Sequence, residues 1–309
     1  MTPVAANAEG ASGVWYPRWF WPAFATPAVF WVAAFFLVPF YVILSVAFGG
    51  LDPIFLSAVP RYNPVNWNFA AFSNVVGDLF TSGSVVQTTF VRTVVYVALA
   101  TCLCLVIGYP VAYFIARHAG RFKTAFLIAL LAPFWISYMM RMLAWTNLLQ
   151  PSGYVNRVLE GLGVLSEPRL WLEGKPSTVI FGLAYGYIPY MILPLYAALD
   201  RIDSSTLEAA RDLGAGQVST LVRVTLPQSR QAIIAGTVIV TLPMAGDFYT
   251  QDLLSAQRNT AMLGNVIDNS IQSSLVQEGA SLVLILLLVL LVPMLFYLRS
   301  TTRATEGIR

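Results

Sequence analysis

Charge is what this sequence is shortest of. Asp, Glu, Lys and Arg make up 11% of its 309 residues, against 57% hydrophobic ones, whereas a soluble domain carries roughly a quarter charged residues. That supply cannot cover a solvated surface, and a water-soluble globular class is excluded. Histidine is nearly absent: His118 stands alone beside Arg117 in a short basic stretch and reads as a solvated loop residue, not a catalytic base. Cysteine occurs only at Cys102 and Cys104. Two residues apart in an apolar run, they point to different sides of a helix and have no His or acidic neighbours. They frame neither a disulfide fold nor a metal site and read as small packing residues. The net charge of +3 is spread over the ends of apolar runs and is not gathered into a patch, so nucleic-acid binding gets no support.

What the chain has in plenty is uncharged apolar length, and a spanning helix needs about 20 such residues. Residues 1–18 are small, polar or Gly- and Pro-containing and read as a flexible cytoplasmic tail. The charge-free run 19–51 is too long for a removable signal peptide and reads as the first span. Further spans are expected over about 93–116, 124–149 with Arg141 inside, 176–199, 231–246 up to the interrupting Asp247 and Asp252, and 279–298. The expected fold is an all-α integral membrane protein of six transmembrane helices, with a membrane domain over 19–299 and a cytoplasmic tail over 300–309. With the N-terminus inside, that side collects eleven Lys and Arg against six outside, which favours two cytoplasmic termini. The outer segments 49–87 and 150–175 hold Pro, Gly, Asn and Trp. They read as loops with short interfacial helices, with Trp67 and Trp171 at the membrane surface.

One inner segment, about 200–230, is polar yet periodic, with Leu207, Ala210, Leu213 and then Val218, Leu221, Val222 at helical spacing. It contains Glu208-Ala209-Ala210-Arg211-Asp212-Leu213-Gly214 and, after nine further residues, Val224-Thr225-Leu226-Pro227. Ser204 or Ser205 can cap a short helix, Ala209 and Ala210 allow another surface to approach closely, and Gly214 permits a sharp turn. Pro227 is expected to end or redirect the chain before span five. Such a helix-turn-helix under a bundle docks something from the cytosol.

A lone Glu-Ala-Ala triplet would be a solvated amphipathic face, but the full spacing resembles the cytoplasmic signature of ABC importer permeases, with Val224 where Ile is usual. The resemblance implies a type I importer-like permease fold. In it the 200–230 loop is a coupling helix between spans four and five that docks into a groove of an ABC ATPase dimer. It also implies a non-catalytic chain that binds no cofactor, ATP and Mg being used by the partner ATPase. No phosphate loop is present: Pro176 follows Gly174-Lys175, and Arg169 stands where the leading glycine should be.

Further stretches look like the spermidine/putrescine-type membrane subunit. These are Gly108-Tyr109-Pro110 with Ala112, Pro133-Phe134-Trp135 followed by Arg141, Gly153-Tyr154-Val155-Asn156, Leu242-Pro243, Phe248-Tyr249 with Asp252-Leu253, and Gly264-Asn265-Val266-Ile267. What this implies is an inner-membrane heterodimer with a second permease, surrounded by membrane lipid and fed by an extracytoplasmic solute-binding protein that sets most of the selectivity. Related permeases share some of these stretches, so an opine, an aminophosphonate or a ferric ion stays open as cargo.

Ionisable groups inside spans are costly and usually functional or paired. Carboxylates and aromatic faces suit a polyamine, and the candidates are Asp247, Tyr249 and Asp252 on span five, Trp135, Tyr138 and Arg141 on span three, and Tyr187 and Tyr190 on span four. The competing readings are aromatic bundle packing, Asp252 in water at the outer interface, and Asp247 paired with Arg141. An intramembrane enzyme is disfavoured, because no span holds a His, both lysines lie outside the spans, and no His-Glu-x-x-His or Gly-x-Ser-x-Gly pattern occurs. No catalytic or metal-binding residue is expected.

Overall fold

The computed structural model describes residues 19–52 and 58–306. The tail expected over 1–18 lies outside the described residues. Helix α1, Phe20–Ala47, carries no charge and is only 6% buried over its apolar window. Phe24, Phe30, Trp31, Phe35 and Phe36 are all more than half exposed. A helix apolar all round and left bare by its own chain is stable only in lipid. After it, β1 (Gly50–Leu51) and β2 (Ala58–Val59) form a small antiparallel hairpin, which the loop composition does not signal, and α2 (Ala70–Phe80) follows.

Helix α3, Val85–His118, starts well before the expected position 93. Ser84 caps it by accepting the Gln87 N–H at 3.0 Å. Arg92, in its early turns, is held by the carbonyls of Arg258 (3.1 Å) and Ala261 (2.9 Å), so the helix continues beyond its apolar run. Its 34 residues reach ~50 Å, more than the hydrocarbon thickness of ~30 Å.

The third expected span is not one helix. Helix α4, Lys123–Leu131, passes through a 3-10 turn, Ala132–Trp135, and breaks. Helix α5, Tyr138–Leu149, leaves at 86°. Pro133 sits at the start of the tight turn, where a missing N–H and a fixed φ stop α-helical continuation. Ile136 and Ser137 are extended.

Helices α6 (Tyr154–Gly161), α7 (Pro176–Arg201), α8 (Ser204–Asp212), α9 (Leu226–Ala245), α10 (Tyr249–Leu254), α11 (Leu263–Gln272) and α12 (Val276–Glu306) complete the chain. The last runs past residue 300, where a tail was expected. The main core joins α3, α7 and α9 through Ala100, Cys104, Leu183, Met191, Leu195 and Val240. Small residues such as Ala100 and Cys104 let helices approach closely where lipid removes the hydrophobic drive between them.

Among the described residues four helices, α1, α3, α7 and α12, are long and apolar enough to cross a membrane, or five if α4 and α5 form one broken span. The six spans expected from the sequence also need α9. It has 20 residues but opens with the polar run Gln228-Ser229-Arg230-Gln231.

Candidate functional site

Two helix breaks meet inside the bundle. Between α9 and α10 the chain leaves helical geometry at Gly246 and Phe248, and Asp247 in this gap is only 7% exposed. Its Oδ1 accepts the Thr250 N–H at 2.9 Å, and its Oδ2 accepts the Tyr187 hydroxyl of α7 at 3.2 Å. At the other break Tyr138 opens α5, and its hydroxyl is hydrogen-bonded to Thr250 Oγ1. The Tyr138 and Tyr187 rings lie 5.6 Å apart, and Tyr190 stands 6.3 Å from Tyr187. Discontinuous helices are tolerated at membrane depth where neighbours satisfy the freed backbone or a polar path is lined.

Arg141 does not pair with Asp247. It is 8% exposed, and its guanidinium lies 4.3 Å from the Phe134 ring centre, 5.5 Å from Tyr138 and 5.9 Å from Tyr185. Nε and Nη1 have no hydrogen-bond acceptor. Rings from both sides of the 86° bend therefore hold the charge by cation–π attraction. Trp135, a sequence candidate, is 81% exposed, and its neighbour Phe134 takes the inward position. Tyr249 is 45% exposed and stacks on Phe248 at 4.1 Å.

Asp252 is exposed and accepts from Asn265 Nδ2 at 2.8 Å. Asn265 is one of the residues whose role the sequence did not reveal. It is 2% exposed, and its Nδ2 also reaches the Phe248 carbonyl at 2.9 Å while Oδ1 accepts the Met262 N–H at 2.9 Å. It thus fastens α11 onto the α9–α10 break. Beside it, a Cβ on Gly264 would stand 2.8 Å from the Asp247 carbonyl oxygen and 2.9 Å from that of Gly246. Backbone cannot yield as a flexible side chain can, so Gly264→Ala should cost ~1–3 kcal/mol by overpacking. The check is a thermal unfolding midpoint in detergent; a midpoint equal to the wild type would contradict this packing.

Asn156 plays a similar part in the segment between α5 and α7. Fully buried, it donates to the carbonyls of Gln150, Pro151 and Arg169 and accepts from the Arg169 N–H and Trp171 Nε1. Its Gly153-Tyr154-Val155-Asn156 setting marked it in the sequence, but not as a hub.

After α7, Asp203 caps α8 by accepting the Ser205 N–H at 3.1 Å, so neither Ser204 nor Ser205 is the cap. Leu207 is buried in the main core, and Arg117 of α3 donates to the Ile202 carbonyl at 2.7 Å, which anchors α8 under the bundle. The apolar stripe expected along this segment is split: Leu213 and Val218 are 90% and 75% exposed. Glu208, Ala209, Arg211 and Asp212 are exposed and Ala210 is half-buried. Gly214 turns the chain with φ +83°, a conformation that costs an L side chain energy.

Pro227 does not end the helix. The chain is helical from 217 to 245, with a π-turn at Leu221–Thr225 directly before Leu226 and Pro227. The wider turn absorbs the missing N–H and the ring clash. One continuous helical stretch thus runs from shortly after the Gly214 turn to shortly before Asp247.

A bundle that needs lipid, broken inside around a buried carboxylate, has the architecture in which polytopic transport proteins build their paths. The chain belongs to the family described as binding-protein-dependent transport system inner membrane component, whose model matches residues 23–306. It is 40% identical over 169 residues to the spermidine/putrescine transport system permease protein PotB of Escherichia coli (strain K12), covering 55% of this chain and 61% of that protein. The matched stretch thus spans about three fifths of that relative. PotB of Haemophilus influenzae is 33% identical over 249 residues, 77% of this chain and 78% of that one. Among solved structures, a chain of a bacterial alginate ABC transporter, in complex with alginate pentasaccharide-bound periplasmic protein, superposes with a TM-score of 0.72. It covers 93% of this chain and 96% of that one at 18% identity, a likeness of fold.

Proposed function

We propose that this chain is the membrane-spanning permease subunit of an ATP-driven ABC importer and forms half of the translocation path for a small cationic solute, with spermidine and putrescine as cargo. The observation that carries the reading is the buried Asp247 carboxylate where two helix breaks meet, bonded to a tyrosine hydroxyl and a backbone N–H but, among the described residues, to no cation. A carboxylate at such depth is costly and functional by default. An ammonium group arriving there gains charge-assisted hydrogen bonds from Asp247 and cation–π contact from Tyr138, Tyr187 and Tyr190. Tyr249 and Asp252 stand along the approach, and Arg141 stays on its rings. The polyamine names of the relatives support the same cargo.

With α9 counted, the membrane domain over 19–299 makes six crossings in the inner membrane, with both termini cytoplasmic. The chain is non-catalytic and holds no cofactor. An ABC ATPase dimer supplies ATP and Mg chemistry, a second permease forms the other half of the path, and an extracytoplasmic binding protein delivers the solute. α8 is the coupling helix, through Glu208, Ala209, Ala210, Arg211, Asp212 and Gly214. Leu226 and Pro227 open the helix that carries its displacement to Asp247.

Cross-linking tests the docking surface. In a background with Cys102 and Cys104 replaced by Ser, Leu213→Cys and Val218→Cys should form disulfides with cysteines placed in the ATPase groove. Val65→Cys, 88% exposed in the loop after α1, should not. An assembled complex with no cross-link at either inner position would contradict the docking.

A further inference from the structure

The end of α3, its turn into α4 and one face of α8 border a cavity of about 330 Å³, lined by Arg117, His118, Lys123, Ser204, Glu208 and Arg211 among others. Three permanent cations face one lining carboxylate. Lys123 is paired with Asp200, outside the lining, at 2.5 Å. Arg117 uses Nη2 on the Ile202 carbonyl, while its buried Nε has no acceptor. Among the described residues neither Arg117 nor Arg211 has an ion-pair partner. Counting both Glu208 and Asp200, positive charge remains, and among the described residues no further carboxylate lines the cavity.

The surroundings of the cavity identify the kind of anion. The His118 ring stacks on Phe114 at 6.0 Å, and Phe114 meets Phe126 edge-on at 5.7 Å. Phe114, Phe122 and Phe126 are 49%, 54% and 44% exposed. A cationic recess therefore continues, through one imidazole, into a bare aromatic wall on helices that enter the bilayer. A soluble anion has no use for that wall. A lipid uses both parts, because basic recesses at the ends of membrane helices take acidic headgroups, and aromatic rings suit the interface below them.

We propose that this cavity binds the headgroup phosphate of an anionic phospholipid, with Arg117 and Lys123 as the charges that hold it and acyl chains lying on Phe114 and Phe126. The bound headgroup braces α8 against the α3–α4 turn, so that lipid composition sets how firmly the inner helix is held. The proposal goes beyond the transport reading and stands without it.

Native mass spectrometry of the full chain in detergent, offered dioleoyl-phosphatidylglycerol or dioleoyl-phosphatidylcholine, tests it. The chain should retain phosphatidylglycerol in preference to phosphatidylcholine, and Arg117→Gln and Lys123→Gln should each weaken retention about fivefold. Arg157→Gln on α6 should change nothing. If Arg117→Gln does not fold for want of its Ile202 contact, Lys123→Gln decides. Equal retention of the two lipids, or a preference that survives both substitutions, would overturn the proposal. So would stabilisation of the chain by inorganic phosphate without a lipid preference, which gives the cavity to a free anion. Loss of ATPase capture in Arg117→Gln without a lipid preference gives it to the ATPase.

Discussion

Asp247→Asn is expected to lower putrescine and spermidine uptake roughly tenfold to a hundredfold while leaving the chain folded. The substitution is nearly isosteric. The Asn carbonyl oxygen can still accept the Thr250 N–H that Asp247 accepts at 2.9 Å, and the amide can still meet the Tyr187 hydroxyl. What disappears is the charge. A hydrogen bond to a charged group contributes about 1.5–3 kcal/mol, and each 1.4 kcal/mol is about a factor of ten. Initial rates of labelled uptake into vesicles holding the complete complex measure the effect. Unchanged rates would remove Asp247 from the path and leave its burial as a structural matter of capping the first turn of α10.

Glu208→Lys is expected to break coupling instead of binding. Glu208 is exposed on α8 beside Arg117, Lys123 and Arg211, so a cation there adds repulsion within the cavity and presents the wrong sign to a docking partner. Like charges at an interface cost several kcal/mol, which corresponds to a loss of roughly a hundredfold or more in transport. Leu207, the residue that anchors α8 in the core, is untouched, so the chain should still reach the membrane. The measurement pairs uptake with ATP hydrolysis in the same vesicles. Loss of uptake with residual ATPase activity is the expected result, and normal uptake would contradict the role given to α8.

Much of the bundle is legible in the sequence because the bilayer demands long charge-free runs, and α1, α3, α7 and α12 sit where those runs lie. The break at 132–137 is not legible in the same way. Apart from Arg141 the run 124–149 is uncharged beyond its flanking lysine, and hydropathy does not register an 86° bend; Pro133 is the only local sign. The bend then decides which aromatic faces inward. In the 3-10 turn Ala132–Trp135 neighbouring side chains are rotated further apart than in an α-helix, so Phe134 meets Arg141 while Trp135 turns outward.

Asp247 stood out as a charge at the end of an apolar run, but its surroundings come from separate elements: Tyr187 and the Thr250 N–H meet its carboxylate, and Tyr138 reaches Thr250. Chain order does not bring such residues together. The same holds for Asn265 and Asn156, whose value lies in carbonyls and N–H groups that no pattern in the sequence exposes. Pro227 shows the opposite error. Its usual meaning as a helix breaker is cancelled by a π-turn that only the folded backbone reveals.

The most direct test of the account is accumulation of labelled spermidine and putrescine in right-side-out vesicles that hold this chain, its partner permease, the ATPase and the binding protein. ATP is placed on the α8 side. ATP-dependent accumulation of polyamine on that side, suppressed by unlabelled polyamine, is the predicted result. An intact complex that hydrolyses ATP but accumulates neither polyamine would contradict the cargo assigned to the Asp247 path.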